Sequence, residues 1–298
     1  MTYEYDPNPR QRKPRRKKHL STGNIILITF IAAALCVLLV FAFFHFGLGL
    51  TYVKIDTEIG GYVKFFGYVD ENNNPSKGDL YYSDGTTATV DQASNTVTFS
   101  NGNVYTGTLS PALRMEGAGG KLICANGDEY EGDFDGGLFS GKGIYRYANG
   151  DVYEGEFKEG KKDGQGKLTW RDGSYYVGTF SDNKKEGDGE YHWADGSYYV
   201  GSYKGDLKDG EGTFHYSNGD IYIGHFENDA RTGTGTYTWA SGDEYEGEFK
   251  NNVIDGKGTY RFASGRVYEG EFSNGAIAEQ PKTEDPVSEE TTAVGSGN

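Results

Sequence analysis

Five histidines, two cysteines and 44 acidic side chains are the raw material for chemistry in this 298-residue sequence. Their spacing argues against each familiar reaction in turn. His192 and His215 stand 23 residues apart, and His225 follows ten later. If the first pair holds equivalent positions of successive hairpins, they lie about 9–10 Å apart, two strand spacings. One zinc needs its ligands at about 2.0–2.1 Å, so surface histidines are the better reading. Cys36 lies in an apolar run and Cys124 takes a core position, which leaves neither a thiol pair nor a zinc cluster. Acidic rows such as Glu129, Glu131, Asp133 and Glu244, Glu246, Glu248 lack the close oxygen spacing of a calcium loop. No HExxH, no GxxxxGK[ST] and no nucleophile with a paired base is present. No enzyme, cofactor or metal site is therefore expected.

What the sequence positions instead is glycine and tyrosine. It holds 46 Gly, 24 Tyr and only 7 Pro; the Gly share is about double the roughly 7% of average usage. Collagen is excluded by the missing triplet period, and a disordered linker by the aromatic content. The excess is periodic. Tyr130, Tyr153, Tyr176, Tyr199, Tyr222, Tyr245 and Tyr268 fall at intervals of 23, each followed two residues on by Gly and four on by Phe134, Phe157, Phe180, Tyr203, Phe226, Phe249 or Phe272. A GxG pair recurs six times, from Gly141/Gly143 to Gly256/Gly258, and a turn Gly precedes each Tyr by three.

Each period reads as a β-hairpin. Tyr153, Gly155 and Phe157 alternate onto one face, Glu154 and Glu156 onto the other, and the return strand brings Leu168 and Trp170 to the side of Tyr153. One hairpin cannot bury its own rings, so hairpins stack into one ladder. The expected core is Tyr153, Phe157, Trp170, Tyr176, Phe180, Trp193, Tyr199, Tyr222, Phe226, Trp239, Tyr245 and Phe249. The predicted fold is all-β: an elongated, twisted, single-layer antiparallel sheet of stacked hairpins, preceded by one transmembrane helix.

On these residues the pattern DGxxYxGxFxxGxxxGxGxxxx resembles the MORN repeat, firmly from about Gly127 to Gly275, with a looser copy from Asn101 and degenerate copies within 52–100. The resemblance implies an elongated antiparallel sheet that serves as a scaffold, a dimerisation module or a membrane contact, some members having been proposed to bind acidic phospholipids. It implies no catalysis by the repeat itself.

Ile25 to Phe44 is a run without charge, with Thr29 its one polar side chain. As a helix it rises about 30 Å, enough for the hydrocarbon core. Residues 1–19 carry seven basic side chains, among them Arg10 and Lys18, against Glu4 and Asp6; the net of +5 leaves −20 for the rest of a −15 chain. The positive-inside tendency then predicts a single-pass signal anchor at the cell membrane, N-terminus cytoplasmic and repeats outside. The expected organisation is a basic segment 1–23, a membrane helix 24–47 that contacts the bilayer, an irregular or degenerate region 48–100, repeats over 101–276 and an acidic disordered tail 277–298. A net charge so acidic argues against nucleic acid as a partner. The basic head and the absence of an N-x-[ST] acceptor with x other than Pro fit a bacterial envelope protein.

The outward slots of the first strands depart from acid in three central units: Tyr175, Val177, Thr179; Tyr198, Val200, Ser202; and Ile221, Ile223, His225. An apolar patch flanked by acidic units marks a candidate contact site, with Tyr175, Val177, Tyr198, Val200, Ile221, Ile223 and His225 as its residues; packing under the curvature of the sheet is the alternative. The leading expectation is a non-catalytic membrane-anchored scaffold that binds an unknown protein or itself. The alternative is a lipid- or envelope-polymer-binding module at the membrane surface, which the acidic charge disfavours for anionic lipid.

Overall fold

The computed structural model describes residues 22–56 and 61–278. The basic side chains from Arg10 to Lys18 and the acidic tail from Glu279 onward lie outside the described residues. Each repeat begins with a seven-residue strand, such as Val152–Lys158, and returns in a nine-residue strand, such as Lys161–Thr169. The two-residue turns between them hold both central residues at positive φ, as at Glu159 (51°) and Gly160 (80°) or Asn251 (49°) and Asn252 (71°). That is the turn whose twist matches paired strands, and Asn, Asp and Gly tolerate it best. The link to the next unit is a second tight turn, closed by the bonds Trp170 N–H to Ser174 O and Gly173 N–H to Trp170 O, both 2.9 Å.

Every strand pairs antiparallel with its sequence neighbours, from Thr51–Asp56 to Ala276–Ile277. The result is one unclosed sheet of 21 strands, a meander of tandem hairpins. Its register places glycine opposite glycine without interruption from Gly120 to Gly270. This row exists to seat the tyrosines. A Cβ on Gly166 would meet the Tyr153 hydroxyl at 2.4 Å and its ring carbons at 2.6 Å, so the ring can lie flat over the backbone there only because the side chain is absent. The hydroxyl then donates to the Glu156 carbonyl, 3.0 Å away. The first Gly of each GxG serves the backbone instead, since Gly164 sits at φ +105° within the bulge that shifts the register between Gly155 and Phe157.

The core is a zigzag of edge-to-face rings unbroken from Tyr105 through Phe134, Tyr130, Phe157, Tyr153 and onward to Tyr268, with centroids 5.0–5.4 Å apart. Each Tyr of the 23-residue series from Tyr130 to Tyr245 is 0% exposed, because rings of its own and the following unit box it in. Trp170, Trp193 and Trp239 are only partly buried. They belong to a second row that runs Trp170, Tyr191, Trp193, Phe214, Tyr216, Tyr237, Trp239, Tyr260, Phe262 at 4.3–5.8 Å. Cys124 packs against the core, and burial raises its thiol pKa. Residues 62–82 repeat the plan in reduced form: Gly67 faces Gly78, and the Phe65 ring takes the tyrosine's place above them.

Before the sheet stands one helix, Thr22–Ala42, continued by a π-helical turn Phe43–Gly47. From Thr29 to Gly47 it is long and apolar enough to cross a membrane, and none of that stretch is buried against protein. A soluble protein's apolar helix would be covered by its core; here Phe30, Val37 and Leu39 are exposed.

Candidate interaction surface

The outward face of the central units is built by strands that alternate between repeats and returns. Tyr175 pairs with His192, His192 with Tyr198, Tyr198 with His215, and His215 with Ile221. Their rings stack nearly parallel: Tyr175 on His192 at 4.5 Å, His192 on Tyr198 at 5.1 Å and Tyr198 on His215 at 4.2 Å, with interplanar angles of 13–17°. The Lys167 ammonium caps the stack 4.7 Å from the Tyr175 centroid. Glu190 contacts the His192 imidazole, and Glu211 lies 3.2 Å from His225.

A second outward row runs parallel to the rings. Val177 faces Glu190, Glu190 faces Val200, Val200 faces Thr213 and Thr213 faces Ile223. Val177, Val200 and Ile223 are 43%, 45% and 55% exposed. The three apolar first strands are thus not neighbours, since a return strand separates each pair. Side-by-side contact, expected from the first strands alone, is replaced by an interleaved surface in which histidine, Glu190 and Thr213 fill the gaps. The Tyr198 ring also stands between His192 and His215. Among the described residues no group of three or more His, Cys, Asp or Glu is placed to hold a metal ion.

The core face carries a feature that the sequence reading missed. Lys162, Lys185, Lys208 and Arg231 occupy one position of four successive units, and each holds its cation over the rings. Lys185 lies 5.7, 5.0 and 4.9 Å from the centroids of Tyr176, Tyr191 and Tyr203; Arg231 lies 5.3–5.5 Å from three rings. Burial lowers the pKa of Lys162 and Lys185, opposed in both by the charge of Asp206. Lys208 is paired with Asp229 at 3.0 Å. The flanking units place Phe139 and Ile254 at this position, so the aromatic channel is cationic only at its centre. Its signal in the sequence is the 23-residue recurrence of a basic residue in otherwise polar return strands.

These elements define a repeat β-solenoid that follows an apolar helix, without disulfides and without a metal cluster among the described residues. The family assignment is specific: the MORN repeat model matches residues 130–152, 153–175, 176–198, 199–221, 222–244, 245–265 and 268–277, so this part of the chain is a MORN-repeat domain. That identity, with no metal cluster or disulfide among the described residues, fits a non-catalytic scaffold. Comparison with curated proteins found no match. Among solved structures, a mutant of the TCP10 domain of Danio rerio CPAP is 12% identical, with 76% of this chain and 97% of that chain covered and a TM-score of 0.33. The Drosophila melanogaster SAS-4 (dCPAP) TCP domain, in complex with a proline-rich motif of Ana2, is 12% identical over 74% and 90% at 0.21. Streptogramin B lyase is 12% identical over 74% and 83% at 0.15. Scores this low carry no argument for a shared activity.

Proposed function

We propose that the protein is a single-pass, membrane-anchored scaffold whose repeat sheet lies outside the cell and binds a protein partner or a second copy through the outward face of its three central units. The observation that carries this reading is the ordered stack Tyr175–His192–Tyr198–His215 beside exposed Val177, Val200 and Ile223. Rigid rings and branched aliphatics lose little entropy on contact, which suits them to a protein interface. The acidic units on either side would set its limits. The orientation rests on the basic cluster that precedes the helix.

A saccharide platform is a poorer use of this surface. Sugars stack on ring faces, and here the faces are spent on one another. A net charge near −20 beyond the basic head works against anionic lipid. Replacing Val177, Val200 and Ile223 together with Glu should leave the circular dichroism of the sheet unchanged and abolish in-cell crosslinks and higher oligomeric mass. Unaltered crosslinks and mass would refute the patch. Flotation with anionic vesicles should stay unchanged in that variant, and reporter fusions at both termini should find the N-terminus inside.

A further inference from the structure

The sheet is unclosed, and among the described residues its last full strand, Val267–Ser273, is paired along its length on one side only. On the other side the chain turns at Asn274-Gly275 and begins a return strand: Ala276 faces Ser273, Ile277 faces Phe272, and the Ala278 amide donates to the Glu271 carbonyl at 2.9 Å. In the preceding unit the same start, Val253 against Lys250 and Ile254 against Phe249, continues through Gly258, Thr259 and Tyr260 to cover Gly247, Glu246 and Tyr245. The final unit has no such continuation in its sequence. At 23 residues beyond Gly256, Gly258 and Tyr260 stand Glu279, Pro281 and Thr283. Glu replaces the glycine at φ +117°, Pro the glycine that a tyrosine ring must cover, and Thr the ring itself. A side chain at the position of Gly258 would meet the tyrosine ring, since even a Cβ there comes within 2.4–2.6 Å of Tyr245.

The strand left open is the end of the core. Val267 is 58% exposed, and Tyr268 is partly exposed where Tyr245 is 0%. Tyr268 touches one ring, Phe272, whereas Tyr245 lies between Phe249 and Phe272. Because backbone groups alternate in direction along a strand, the bond made by the Glu271 carbonyl shows that Glu269 and Val267 also turn theirs toward the vacant side.

The molecule already contains the complement of this edge. Residues 267–272 read Val-Tyr-Glu-Gly-Glu-Phe, identical to 152–157. That earlier strand is paired with Lys161–Thr169, in which Gly166 faces Gly155, Lys167 faces Glu154 and Leu168 faces Tyr153. From this correspondence we propose that the open edge of Val267–Glu271 is a docking site for an extended segment of another protein, of the pattern Gly–basic–Leu or Gly–basic–aromatic. Its glycine would face Gly270, its basic side chain Glu269, and its apolar side chain would cover Tyr268. Two such edges do not fit one another about Gly270. Antiparallel self-pairing centred on Gly270 sets Glu269 against Glu271 twice, and like charges directly opposite oppose pairing. The site is separate from the outward patch of the central units.

The test uses the full-length protein in lipid nanodiscs and a fluorescein-labelled decapeptide of the sequence of residues 161–170, read by anisotropy. Saturable binding is expected, weakened at least about ten-fold by Gly166→Pro or Lys167→Glu in the peptide. Glu269→Pro in the protein should weaken it equally, since it removes an amide on the vacant side and leaves the opposite ladder intact. The Val177, Val200 and Ile223 triple variant should bind the peptide as the native chain does. Three results would each overturn the proposal: no saturable binding, equal affinity for the Gly166→Pro and Lys167→Glu peptides, or binding only after removal of residues 279–298.

Discussion

At the scale of single residues, two kinds of glycine do different work. Gly173 turns the chain at φ +89° with open space where a Cβ would go, while Gly166 has no positive φ and is forced by the Tyr153 ring above it. Gly173→Ala should cost about 1–2 kcal/mol of backbone strain and leave the near-ultraviolet circular dichroism intact. Gly166→Ala should cost about 1–3 kcal/mol through overpacking and alter that spectrum, because the ring has to move. Urea melts with near-ultraviolet spectra distinguish the two. The importance of these glycines was legible in the sequence from their fixed distance to each tyrosine. That Gly173 makes a turn was read from its place three before Tyr176, but that Gly166 lies beneath the Tyr153 ring was not, since that depends on the bulge at Gly164 and hence on the cross-strand register. The Lys162 to Arg231 row escaped notice for a related reason: a lysine in a polar strand reads as solvated until the rings beneath it are placed.

Among elements, the links between units are more than covers for loose ends. The Asp220 carboxylate accepts from the Ala240 amide at 2.9 Å and from the Tyr237 hydroxyl at 2.6 Å, so the turn of one unit holds the turn of the next. Asp128 does the same for Ala148 and Tyr145, both at 2.8 Å. Burial alone would raise the Asp220 pKa, but the bonds from Tyr237, Ala240 and Asn218 outweigh it and hold it below the usual carboxylate range. A folded pKa below the unfolded value gives a stabilisation that is complete above about pH 4–5 and lost as pH falls through the folded value. Asp220→Asn should therefore lower stability by about 1–2 kcal/mol at pH 7 and flatten the loss below pH 4, as urea midpoints at pH 7 and pH 3 would record. The period made the existence of each strand plain in advance. It hid the outer ring stack, because Tyr175 and His192 are 17 residues apart and on different kinds of strand. A comparison of first strands with first strands passes over the histidines between them.

For the whole molecule, regular pairing sets the length. Twenty-one strands at about 4.8 Å span about 95 Å measured across the sheet. Removing one full period, residues 176–198, joins Tyr175 to Tyr199 in phase and should give a folded protein shorter by about 9–10 Å. Small-angle scattering of the two proteins in matched nanodiscs would measure the difference, and loss of cooperative unfolding would contradict the modular reading. The architecture of tandem hairpins behind an apolar helix could be read from the sequence almost in full, since the repeat and the uncharged run are both written in consecutive residues. The unfinished end could not, because Pro281 takes on meaning only once Gly258 is seen beneath the Tyr245 ring.

Strict neighbour-to-neighbour pairing also bears on how such a chain acquires its structure. No strand waits for a distant partner, so loop-closure entropy stays small and each hairpin can dock on the one just made. A polypeptide emerging N-terminus first could thus build its sheet in the order of its synthesis, with the newest strand always serving as a growth front. On that view the edge at Val267–Ser273, as the described residues show it, keeps the same receptive state that each earlier strand held for a moment.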